Sequence, residues 1–135
     1  MSRKTILIVD DDPDVRLGLH VRLKANLYDV VFAADGIAAI SEARKRMPDL
    51  IILDLGLPAG DGCSVLARLK ANLSLALIPV IVVSARDRNA NRERALKAGA
   101  RAFLQKPVDN ARLLSLIRLA LGEKEENSSV VYDVG

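Results

Sequence analysis

The chain is predicted to form an α/β domain, a (βα)5 doubly wound five-stranded parallel sheet. Three observations lead there. Five short apolar runs are spread along the 135 residues, and most are apolar at every position. Such runs suit strands covered by helices on both faces of a parallel sheet. Amphipathic stretches with recognisable caps fill each interval between runs. Polar side chains follow the runs directly, at the strand ends where sheets of this kind bind ligands.

Ile6–Val9 is the first strand, ended by Asp10. Asp12-Pro13 then starts a helix, with Asp as N-cap and Pro in the first turn, and Val15, Leu19, Leu23 and Leu27 recur every four residues. Val30–Ala33 is the second strand. Asp35-Gly36 reads as a turn and cap opening the second helix, with Ile40, Ala43 and Met47 inward and Pro48 as the stop. Leu50–Leu53 is the third strand. Asp61-Gly62 reads as a turn and cap before the third helix, whose inner face is Val65, Leu66 and Leu69. Val80–Val83 is the fourth strand, and a helix from about Asn89 to Lys97 stops at Gly99, a left-handed cap. Ala102–Leu104 is the fifth strand. Asp109 caps a last helix with Leu113, Leu114, Ile117 and Leu121 buried. Residues 1–121 are thus one domain, and 122–135 a polar C-terminal tail or linker.

Composition narrows the function. Half the residues are apolar and 27% are charged, which fits a folded globular chain. Only 3% are aromatic and none is Trp, so a base-stacking platform for single-stranded nucleic acid is not expected. No apolar stretch is long enough for a membrane span. Cys63 is the one cysteine, read as a small buried or half-buried apolar residue in a reducing, cytoplasmic setting. His20 lies off the apolar stripe of its helix and reads as an exposed surface histidine.

The polar residues at the strand ends form a chemical set. The first strand ends in Asp10-Asp11, the third in Asp54 and the fourth in Ser84, and Lys106 follows the fifth. Three adjacent carboxylates repel one another unless a cation sits among them. All-oxygen ligands favour a hard ion, for which Mg2+ is the natural choice. Lys106 would pair with Asp54 or with an incoming phosphate, and Ser84 would donate to that phosphate. The set suits phosphoryl transfer onto a carboxylate, with Asp54 as nucleophile. Asp12 and Asp14 read more simply as N-cap and first-turn acids.

Ile6-Leu-Ile-Val-Asp-Asp-Asp-Pro13, Asp54-Leu-Gly-Leu-Pro-Ala-Gly-Asp-Gly62, Val83-Ser-Ala85, Ala95-Leu-Lys-Ala-Gly-Ala100 and Phe103-Leu-Gln-Lys-Pro107 together resemble the receiver domain of two-component response regulators. The resemblance covers residues 4–121. It implies a flavodoxin-like receiver fold and a phosphorylation-activated switch that is not a conventional enzyme. In it Asp54 is the phosphoacceptor, Asp10, Asp11, Asp54 and the carbonyl of Gly56 hold Mg2+, Lys106 contacts the phosphoryl group, Ser84 and Phe103 are the switch residues, and Lys106-Pro107 is cis. Phe103 lacks the hydroxyl of the tyrosine common there, so it would act by ring burial. Gly56 and Arg86 occupy variable positions that set phosphoryl lifetime.

The resemblance also implies partners. A sensor histidine kinase or a histidine phosphotransfer protein would donate the phosphoryl group. The face of the fourth helix, fifth strand and fifth helix would signal to an output domain or partner. Arg86, Arg88, Arg92, Arg94, Lys97 and Arg101 make that face basic, suited to an acidic partner or to a solvated surface. No direct nucleic-acid or membrane contact is expected, and the chain is read as a monomer or a phosphorylation-dependent homodimer. An alternative is a receiver module cut from a larger hybrid histidine kinase or DNA-binding response regulator. A free-standing phosphatase or nucleotide hydrolase fits less well. There is no glycine-rich phosphate loop ending in Gly-Lys-Ser/Thr, and no acid two residues after Asp54.

Overall fold

The computed structural model describes residues 3–57, 62–85 and 88–123, with Arg88 described by its backbone alone. Asp61, Arg86 and the tail beyond 123, each given a reading above, lie outside the described residues. Strands and helices alternate: β1 (Thr5–Val9), α1 (Pro13–Ala25), β2 (Asp29–Ala33), α2 (Gly36–Arg46), β3 (Leu50–Leu53), α3 (Gly62–Ala71), β4 (Val80–Ser84), α4 (Arg88–Lys97), β5 (Ala102–Gln105) and α5 (Asn110–Ala120). All pairings are parallel, in the order β2-β1-β3-β4-β5.

The doubly apolar strands fill two cores by simple alternation. Ile6, Ile8, Leu50, Ile52, Ile81 and Val83 face α1 and α5, whereas Leu7, Val9, Ile51, Leu53, Val80 and Val82 face α2, α3 and α4. Leu66 and Leu69 of α3 and Leu23 of α1 are at most 1% exposed, so truncating any of them to Ala should cost about 2–5 kcal/mol.

Helix starts follow the capping chemistry. Asp12, Asp35 and Asp109 accept hydrogen bonds from the first-turn amides of α1, α2 and α5. Two helix ends differ from expectation. α1 stops at Ala25, and Leu27 lies beyond it with φ 70°, 64% exposed, instead of continuing the buried stripe. The amides of Leu27 and Tyr28 instead close the helix onto Lys24 and Leu23, a Schellman termination. Met47 likewise sits outside α2 with φ 44° and is exposed rather than inward. Gly99, at φ 109°, ends α4 as expected.

The far end of α5 is tied to the α1–β2 corner. The hydroxyl of Tyr28 donates to Glu123 Oε2 at 2.8 Å, and Arg118 donates to Asn26 Oδ1 at 3.1 Å. His20 is half-buried, not freely exposed, because its ring packs on Phe32 with centroids 5.5 Å apart. Cys63 is buried, as its size and setting predicted.

Candidate functional site

The strand order reverses between β1 and β3, and that is where the acids meet. Val9 is in register with Leu53, and the amide of Asp54 donates to the Val9 carbonyl at 2.9 Å. Asp10 and Asp54 therefore leave adjacent strands side by side. Both are buried, at 3% and 8% exposure, while Asp11 is exposed. One carboxylate oxygen from each of Asp10, Asp11 and Asp54 lies within 4.8 Å of the others.

Lys106 comes in from the other side of the sheet. Its amide donates to the Ser84 carbonyl at 2.9 Å, extending the β4–β5 ladder by one residue. Its peptide bond to Pro107 is cis, as the family resemblance implies. The Nζ donates to Asp10 Oδ2 at 2.8 Å and stands 3.5 Å from Asp54 Oδ2. The pairing with Asp54 expected from the sequence is present, and Asp10, which that reading did not name, is the closer partner. Burial alone would lower the pKa of this ammonium. The Asp10 hydrogen bond and the charges of Asp54 and Asp10 more than reverse that, so its pKa lies above the ordinary lysine value.

The remaining oxygens are held as well. Asp10 Oδ1 accepts from the Asp12 amide at 2.9 Å, and Asp54 Oδ1 from the Gly56 amide at 3.0 Å. Among the described residues the Asp11 carboxylate has no hydrogen-bond or ion-pair partner, which leaves its oxygens open to a cation. Three carboxylates converging beside an exposed Gly56 backbone form a hard, all-oxygen donor set, which fits a small divalent ion such as Mg2+. The same set is a poor match for a softer metal, since no histidine or cysteine joins the group.

Ser84 is fully buried at the end of β4. Phe103 pairs with Val82 in the neighbouring strand and packs in the core on the α2–α3–α4 side. At 5% exposure its ring is already turned inward in this structure.

Two supporting residues were missed by sequence reasoning. Arg16, four residues after the Asp12 cap, donates to the Asp10 carbonyl at 2.8 Å and steadies the turn after β1. Gly62 was read only as a turn and cap. A Cβ there would lie 2.5 Å from the Leu55 Cα and 2.6 Å from the Asp54 carbonyl oxygen, and the Gly62 amide donates to the Leu55 carbonyl. α3 therefore starts in direct backbone contact with the segment bearing Asp54. The Asp-Gly pair was a signal for a special backbone position, but the contact itself is tertiary. Of the basic run on α4, Lys97 pairs with Glu93 at 3.1 Å on an exposed surface.

A sheet of this order with its polar groups gathered at the β1/β3 switch point is the flavodoxin-like receiver fold. The chain belongs to the response regulator receiver domain family, whose family model matches residues 6–118. It is 40% identical over 118 residues to response regulator PleD of Caulobacter vibrioides, covering 87% of this chain and 26% of PleD. It is 37% identical over 116 residues to the transcriptional regulatory protein KdpE of Mycobacterium tuberculosis, covering 86% of this chain and 50% of KdpE. The chain thus spans half or less of these curated relatives. Among solved structures it resembles a CheY-like receiver domain protein of Methanospirillum hungatei, with TM-score 0.83 and 29% identity over 90% of this chain and 95% of that one. It also resembles the receiver domain of sensor histidine kinase PA1611 of Pseudomonas aeruginosa, with TM-score 0.82 and 30% identity over 90% of this chain and all (100%) of that one. That structure has a magnesium ion coordinated in its active-site cleft.

Proposed function

We propose that this domain is a phosphorylation-activated signalling switch in which Asp54 accepts a phosphoryl group from a histidine kinase or phosphotransfer protein. The observation that carries the reading is the convergence of Asp54, Asp10 and Lys106 at the switch point, with the lysine ammonium reaching both carboxylates. In the transfer, an Asp54 carboxylate oxygen bonds to phosphorus as the N–P bond of a phosphohistidine breaks, and the leaving imidazole keeps the electron pair and takes a proton. Asp10, Asp11, Asp54 and the Gly56 carbonyl would hold a magnesium ion, which supplies charge neutralisation on the phosphoryl oxygens.

The protein's own groups do the positioning. The Gly56 amide fixes the Asp54 carboxylate through Oδ1. Lys106 can swing from Asp54 Oδ2 to a phosphoryl oxygen without leaving Asp10. Ser84 donates its hydroxyl to a second phosphoryl oxygen. Because the Lys106 amide is bonded to the Ser84 carbonyl, movement of Ser84 passes into the start of the β5–α5 loop. Phe103 shares a sheet face with Ser84 and is already packed inward, so its part is to fill the space beside the serine rather than to swing in from solvent. The output face is α4–β5–α5, and the domain turns over no small substrate. The domain acts in the cytoplasm; no described helix is long and apolar enough to cross a membrane.

The test is to add Mg2+ and beryllofluoride, a phosphoryl mimic, and follow the Ser84, Phe103 and Lys106 amides by NMR. Large shifts that vanish in Asp54→Asn are expected. Unchanged spectra, or the same shifts in the variant, contradict the reading.

A further inference from the structure

A second concave site lies between α2 and α3. It is an open groove of about 430 Å³ lined by Ile37, Ile40, Ser41, Arg44, Lys45 and Arg68. Ile37, Ile40/Ser41 and Arg44 follow one another at three- and four-residue steps, so they form a single stripe along α2. Arg68 closes the groove from α3. The helices are held close here, because Gly36 sits where a Cβ would be 2.7 Å from Val65 Cγ2.

Two properties separate this groove from an ordinary solvated face. Its lining has three cations and no carboxylate. Among the described residues none of Arg44, Lys45 and Arg68 makes an ion pair; the one acid on that helix, Glu42, pairs with Arg46 at 3.6 Å instead. Beside these cations Ile37 is 71% exposed, at the start of a helix whose other apolar residues are buried or half-buried. An exposed isoleucine next to uncompensated positive charge suits a ligand that is apolar at one point and acidic around it.

We infer that the α2–α3 groove docks an acidic segment of a partner protein, with one apolar side chain seated against Ile37 and Ile40 and flanking carboxylates on Arg44, Lys45 and Arg68. The groove is open on its outer side, so the segment would lie along the α2 stripe rather than inside an enclosed pocket. The charge pattern selects against basic partners and makes association faster at low salt. This site is independent of the phosphoacceptor reading.

The test uses the full chain and a short synthetic peptide, EELELEE, with EESESEE as its control. NMR titration should move the amides of Ile37, Ser41, Arg44 and Arg68, and the leucine peptide should bind more tightly than the serine one. The double variant R44E/R68E should weaken binding by about tenfold or more, as removal of two charge contacts implies. Ser41→Trp, which fills the groove without changing charge, should do the same, and urea denaturation confirms that each variant folds. Shifts confined to Arg92 and Arg94 on α4, equal binding of both peptides, or unchanged affinity in both variants would overturn the inference. So would binding to phosphatidylglycerol vesicles, lost in R44E/R68E, with no peptide binding.

Discussion

Lys106 and Asp10 lie at opposite ends of the domain sequence, yet the lysine Nζ stands 2.8 Å from the Asp10 carboxylate. That contact places a positive charge between two buried carboxylates, the second being Asp54 at 3.5 Å. It also explains how a fold can keep two acids side by side at the end of its central strands.

Replacing Lys106 by Met removes that charge. The variant should lose about 1.5–3 kcal/mol of stability at neutral pH, the range for a hydrogen bond to a charged group. Added Mg2+ should recover more stability in the variant than in the parent, because the cation then replaces the missing ammonium. Thermal melts with and without Mg2+ measure this, and equal increments would contradict it. The Lys106 pKa is raised in the fold, so its contribution is complete below the unfolded value of about 10.4 and is lost as pH rises through the folded value.

Gly62 and Gly56 should respond differently to alanine. At Gly62 the new methyl would collide with the Asp54–Leu55 backbone, so Gly62→Ala should cost about 1–3 kcal/mol and slow phosphorylation. At Gly56 a new methyl would have Asp54 Oδ1 as its nearest neighbour, at 3.6 Å, so Gly56→Ala should fold as stably as the parent. Urea denaturation and labelling with a small phosphoryl donor compare the two.

Leu27→Gly should stabilise the domain. The leucine occupies a left-handed conformation, φ 70°, with little buried surface to lose. Relief of that conformation, less the extra freedom of glycine in the unfolded chain, is worth about 0.5–1 kcal/mol. A lower urea midpoint would contradict it.

Tyr28 should ionise late. Burial, then its hydrogen bond to Glu123 and that residue's charge, push its pKa up to about 12. Because the folded value is raised, the contribution is present below the unfolded pKa near 10 and lost as pH climbs toward 12. Tyrosinate absorbance in a Tyr132→Phe background isolates Tyr28. Its midpoint should fall in Glu123→Gln yet stay above the free value, since burial persists.

Much of this was legible in the sequence because the fold's strongest signals are local. Strands such as Leu50–Leu53 are apolar throughout, and Asp12, Asp35 and Asp109 cap where capping chemistry places them. Asp10, Asp54 and Lys106 were legible as a site because each follows a strand, and parallel strands deliver such residues to one rim. Leu27 and Met47 misled because each is apolar one repeat beyond the last buried residue, and neither end carries the glycine that marks a left-handed cap. The lysine's preference for Asp10 and the Gly62 contact depend on how close two distant segments pack, which periodicity does not encode. The half-burial of His20 needed Phe32, a residue on the edge strand.

The most direct test of the central claim is site-mapped phosphorylation. The chain is incubated with Mg2+ and phosphoramidate, reduced with borohydride to trap the acyl phosphate, and digested for mass spectrometry. A single modified residue, Asp54, is predicted, with no labelling in Asp54→Asn and none when Mg2+ is chelated. Modification at another residue, or equal labelling of the Asp54→Asn variant, would contradict the account.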